Sequence, residues 1–223
     1  MSRLLFLTLM AFFVLASTGL SAADFTQFRG ESGKAVVAES NVPSTWSDDS
    51  NLLWKSELSG RGSSSPIVVG GKVFVTAYAG YGNPEQPGSQ EQLVRELLCF
   101  DLANGKQLWK ATVRNQQRED QYQGFITEHG YATSTPVSDG ESVFVFFGKS
   151  GVLAYDMNGK QKWHVSVGTE SAQRRWGSAP SLIMHKDTVI VNASDESQTI
   201  YALNKQDGSI AWKAEAAGLE NAF

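Results

Sequence analysis

The sequence predicts an all-β fold of repeated four-stranded antiparallel units, and three observations carry that prediction. A tryptophan returns four residues after a glycine, at Gly105 to Trp109, Gly159 to Trp163 and Gly208 to Trp212. Ahead of each glycine lie apolar, strand-forming runs that are themselves split by a turn. Each unit also opens on small residues and a proline, at Ser64-Ser65-Pro66, Ser134-Thr135-Pro136 and Ser178-Ala179-Pro180.

The turn dipeptides Asn104-Gly105, Asn158-Gly159 and Asp207-Gly208 tolerate positive φ and read as hairpin turns, which sets each tryptophan early in a returning strand. Upstream, the runs 67–75, 137–147 and 182–191 are broken at Gly70-Gly71, Asp139-Gly140 and His185-Lys186-Asp187. Every unit therefore reads strand, turn, strand, loop, strand, turn, strand. Proline suits the first residue of a strand, where no ladder hydrogen bond is owed.

Four-stranded units with an indole at one fixed place match the blade of a β-propeller. Three blades are expected, at residues 63–113, 132–168 and 177–217. The segment Asn51 to Leu58 reads as an outermost strand, with Trp54 at the place of the repeat tryptophan. Closed propellers have about four to eight blades, so this reading implies an incomplete propeller with open, self-associating blade edges.

The amino terminus has a basic start at Arg3, an apolar run from Leu4 to Ala16 and small residues up to Ala23. That order reads as a secretory signal peptide cleaved near Ala23, because the run is shorter than the about 20 apolar residues a membrane span needs. The chain thus divides into a signal peptide (1–23), an entry segment (24–50) and propeller repeats (51–223), with no membrane span left after cleavage and a periplasmic or secreted location. Without Arg3, 18 basic residues face 23 acidic ones, a net charge of −5. No basic stripe offers counterion release, which argues against nucleic acid as a partner. The single cysteine, Cys99, excludes an internal disulfide and reads as a small buried hydrophobe.

The pattern Ala/Cys-x-Asp-x-x-x-Gly-x-x-x-Trp resembles the pyrroloquinoline-quinone (PQQ) repeat, from about Asn51 to the end of the chain. Quinoprotein alcohol dehydrogenases and the outer-membrane-protein assembly factor carry similar repeats. The resemblance implies that Trp54, Trp109, Trp163 and Trp212 are structural, each packed between blades. The opening Phe25-Thr-Gln-Phe-Arg-Gly30 is similar to an entry segment found before such propellers. Two departures stand out: the middle unit is one residue shorter before Gly159, and Asn204 replaces the aspartate seen at Asp101 and Asp156.

Chemical motifs are sparse. Gly148-Lys149-Ser150 lacks the earlier glycine of a phosphate loop, since Val143 stands there. Gly62 to Pro66 lacks the second glycine of a nucleophile elbow. His129, His164 and His185 have no metal-ligand spacing and read as solvated or strand-edge residues. No catalytic, cofactor-binding or metal-ligating residue is assigned. PQQ, the cofactor the resemblance raises, would need adjacent cysteines in a disulfide and a calcium with acidic ligands, and this chain has one cysteine.

Two loop segments rise above the repeat background. One is the Gln/Arg-rich stretch from Arg114 to Gly130, the other Arg174-Arg175-Trp176. His129, Arg174, Arg175 and Trp176 are the candidate ligand face, suited to an anionic or peptide ligand. The expected function is an exported, non-catalytic scaffold that binds an envelope protein or an extended peptide. The alternative is a fragment of a quinoprotein-type oxidoreductase.

Overall fold

The computed structural model describes residues 24–36, 42–84 and 86–219. The signal-peptide reading falls on residues 1–23, outside the described residues. Three four-stranded antiparallel sheets follow one another along the chain. The first blade holds β1 (Ile67–Val69), β2 (Lys72–Ala79), β5 (Val94–Asp101) and β6 (Gln107–Arg114), with a small hairpin of β3 (Tyr81–Asn83) and β4 (Gln86–Gly88) inserted between β2 and β5. The inter-blade loop then contains the short helix α1 (Ile126–His129). The second blade is β7 (Val137–Ser138), β8 (Ser142–Phe146), β9 (Val152–Asp156) and β10 (Gln161–Val165). The third is β11 (Ile183–His185), β12 (Thr188–Ala193), β13 (Thr199–Asn204) and β14 (Ile210–Glu215), with the helical turn α2 (Ser194–Ser197) between its middle strands.

Hydrophobic cores form between blades, because the period of two sends alternate side chains of a strand to opposite faces. Val143 and Val145 of β8 face the first blade with Ile67, Phe74, Leu97 and Cys99. Phe144 and Phe146 of the same strand face the third blade with Leu182, Val189, Val191 and Leu203. The proline signatures link the inner strands. The Ser65 amide donates to Thr135 Oγ1 at 3.0 Å and the Thr135 amide to Ser181 Oγ at 3.1 Å. The entry segment joins them, since Phe25 pairs with Val68 and the Ser138 amide donates to the Thr26 carbonyl.

The repeat motif has a geometric cause. Each outer strand slips by one residue just before its tryptophan, which then stands opposite a small residue: Trp109 opposite Cys99, Trp163 opposite Ala154, Trp212 opposite Ala202. The indole reaches forward to the next blade. Trp54 Nε1 donates to the Leu102 carbonyl at 2.7 Å, Trp109 Nε1 to Met157 at 3.1 Å and Trp163 Nε1 to Lys205 at 2.9 Å. The ring lies on the turn glycine of that blade. A Cβ on Gly105 would stand 2.5 Å from Trp54, one on Gly159 2.7 Å from Trp109 and one on Gly208 2.9 Å from Trp163, so only glycine fits. Trp212, on a strand exposed along its length, is 46% exposed.

Three expectations need correction. Residues 51–58 form no strand, although Trp54 docks as the repeat requires. The glycine turns are longer than two-residue hairpins: the first spans residues 102–106 and is held by Asp101 Oδ1, which accepts from the Ala103 amide. In the third blade Asn204, at the place of Asp101, instead donates to Ser209 Oγ, while Asp207 Oδ1 accepts from the Ser209 amide as Asn104 Oδ1 accepts from the Lys106 amide in the first. Finally, His129 is neither solvated nor at a strand edge. It is half-buried and bonded through both ring nitrogens.

Candidate functional site

Antiparallel pairing puts the β2–β5, β8–β9 and β12–β13 connections at one end of the blades, together with the two inter-blade loops. All four residues of the expected ligand face lie at this end. The loop from β6 to β7 carries His129 and the loop from β10 to β11 carries Arg174, Arg175 and Trp176.

His129 fastens the loops together. Its Nε2 lies 2.8 Å from the Trp176 carbonyl and its Nδ1 2.8 Å from Thr133 Oγ1. A carbonyl can only accept, so Nε2 carries the proton and donates. Phe125 then packs against Trp176 at 5.1 Å between ring centroids, and the Arg174 guanidinium lies over the indole at 4.7 Å. Arg175 is exposed, at a φ of 52°. Between the loops opens a recess of about 490 Å³, walled by Arg118, Gln121, Phe125, Arg174, Arg175 and Trp176 among others.

Beneath it lies a buried ionic network that no local sequence pattern signals. Arg95 Nη2 meets Glu119 Oε1 at 2.8 Å, and its other nitrogens donate to the Tyr131 carbonyl and Ser150 Oγ. That contact lies off the hydrogen-bonding direction of the guanidinium, so the Arg95–Glu119 attraction is mainly Coulombic. Lys149 Nζ lies 3.7 Å from Asp120 Oδ2 and donates to Ser171 Oγ, which donates in turn to Asp120 Oδ1. Glu196 of the third blade hydrogen-bonds with Ser178 and lines the same polar cavity of about 20 Å³, room for a single water. Burial pushes the Glu196 carboxyl up to about 7. Arg95 pairs with Glu119 and Lys149 with Asp120, while Glu196 shares the cavity wall with two further carboxylates, Glu170 and Asp195.

A family model described as outer membrane protein assembly factor BamB matches residues 88–222. The chain belongs to the PQQ-like repeat family. Its PQQ-like blades are similar in fold to solved structures. BamB from Moraxella catarrhalis is 14% identical, with a TM-score of 0.46 over 73% of this chain and 39% of that one. Quinohemoprotein alcohol dehydrogenase from Comamonas testosteroni is 18% identical, with a TM-score of 0.46 over 70% and 21%. The computationally designed Ika4 protein is 13% identical, with a TM-score of 0.47 over 74% and 79%. The chain spans 39% of the length of the BamB structure it matches. No curated protein matches it by sequence.

The residues of this PQQ-like chain do not fit a quinone held as the resemblance implies. Cys99, the sole cysteine, is fully buried in the first blade opposite Trp109 and has no neighbour with which to form a disulfide. Among the described residues no group of three His, Cys, Asp or Glu side chains could hold a metal ion. Nor is any described helix long and apolar enough to cross a membrane.

Proposed function

We propose that this protein is an exported, non-catalytic propeller scaffold that binds a segment of a partner protein at the recess between its inter-blade loops. The observation that carries the reading is the convergence of the two loops: His129 ties one to the other, and Phe125 and Trp176 make an aromatic floor between them. A recess built from loops on a rigid strand framework is where propellers and other repeat folds present binding groups. Export is supported by the charged start, apolar run and small residues of the first 23 positions. The lone buried Cys99 supports the non-catalytic reading over a quinoprotein fragment.

The test places a photo-crosslinking residue at Gln123, beside the recess, and separately at Asn158, in a turn at the other end of the second blade. Protein adducts are expected from position 123 alone. Adducts from neither position, or equal adducts from both, would overturn the assignment of the face. Dye reduction with alcohols after adding PQQ and calcium would overturn the non-catalytic reading.

A further inference from the structure

We infer that the recess recognises an extended, acidic peptide segment. This rests on the protein-binding reading above and adds the chemistry of the partner. The chain as a whole carries a net charge of −4, yet the recess gathers three exposed arginines, Arg118, Arg174 and Arg175. None of the three joins an ion pair among the described residues. The carboxylate in the wall, Glu119, is buried and already held by Arg95. The recess is therefore a locally cationic site on an acidic molecule.

Guanidinium groups select planar, bidentate acceptors, and a carboxylate side chain is the acceptor a peptide supplies. Stacking on Trp176 restricts the Arg174 fork before any ligand arrives, so less conformational freedom is lost on binding. Arg175 is held in its loop by an amide hydrogen bond to the Ala172 carbonyl at 3.0 Å. Phe125, 44% exposed, offers apolar contact to a neighbouring side chain of the ligand.

The shape favours a chain over a small anion. Arg118 and Gln121 also wall a second depression of about 670 Å³, which therefore adjoins the recess along the loop. Along the two depressions stand Gln116, Gln117, Gln121 and Gln123, whose amides each offer a donor and an acceptor to an extended peptide backbone. Glu91 stands in the far depression, so acidic ligand residues belong at the arginine end.

The experiment is fluorescence anisotropy on the purified protein with a labelled Glu-rich peptide and its Gln-for-Glu counterpart, alongside a heparin fragment. The Glu-rich peptide should bind, and the Gln counterpart should bind roughly tenfold or more weakly, as expected for lost charge-assisted pairs. Arg174→Gln with Arg175→Gln, and separately Arg118→Gln, should cause a similar loss without moving the melting temperature. Equal binding of the two peptides, binding of neither, or capture of heparin in preference to both would overturn the inference. In each of those cases a persisting crosslink from position 123 would leave the protein-binding reading standing.

Discussion

Trp163 in the second blade donates its indole N–H to the Lys205 carbonyl in the third, at 2.9 Å, while its ring covers Gly208. One side chain thereby fills the inter-blade core, satisfies its own polar atom and fixes the turn of the next sheet. Trp163→Ala should destabilise the protein by about 3–5 kcal/mol, the cost of removing a buried large aromatic. Trp212→Ala, at the exposed end of the same series, should cost less than about 1 kcal/mol. Urea denaturation of both variants measures the difference, and equal losses would show that docking is not what buries these indoles.

Cys99 stands opposite Trp109 where the other blades have Ala154 and Ala202. Its role is to be small. Cys99→Ala should change stability by less than about 1 kcal/mol, whereas Cys99→Leu should cost about 1–3 kcal/mol by overpacking the site. Burial pushes the thiol up to about 11, so a thiol reagent at mildly alkaline pH should label the denatured chain and spare the native one. Rapid labelling of the native protein would contradict the placement of this strand.

The Glu196 carboxyl titrates at about 7 in the fold against 4.5 in a model peptide, chiefly because burial disfavours its charge, with Ser178 acting in the other direction. A raised carboxyl favours the folded state while it is protonated. Its contribution is full below pH 4.5 and is lost as pH rises to about 7, a change of about 3 kcal/mol. Asp139, Asp156 and Asp207 are lowered and act oppositely, losing stability on the acid side. Glu196→Gln isolates the effect, because the amide is uncharged throughout. Its stability relative to the parent should rise as pH rises from 4.5 to 7, and a parallel pair of pH profiles would refute the assignment.

Arg95 and Glu119 have side chains only 2% and 6% exposed. Arg95→Met alone should cost about 3–5 kcal/mol, since it leaves a buried carboxylate unpaired. Adding Glu119→Gln should recover much of that loss. A double variant no more stable than the single one would mean that the two residues act independently.

Much of this architecture is legible in the sequence because it repeats. The Gly-to-Trp spacing, the small residue opposite the indole and the proline signature mark contacts that recur from one blade to the next. Trp54 was recognisable from the strand-like look of residues 51–58, even though that segment forms no strand. The turn lengths were not legible, because Asn-Gly suits both a tight hairpin and a longer loop whose shape an aspartate side chain fixes. The β3–β4 hairpin has strands of three residues, too short for an alternating pattern. The ionic network escapes for another reason. Arg95, Glu119, Lys149 and Glu196 come from separate blades and loops, and no spacing along the chain brings them together. At the loop face, composition pointed to Arg174, Arg175 and Trp176, but the coupling of His129 to the Trp176 carbonyl exists only in three dimensions.

The forward reach of the indoles gives the row of blades a polarity. Each of the first two sheets lends its tryptophan to the one that follows and depends on it for cover. A chain emerging amino end first must hold each indole in waiting until the next repeat has been made. Closure of each inter-blade core therefore trails the synthesis of its first sheet by one repeat.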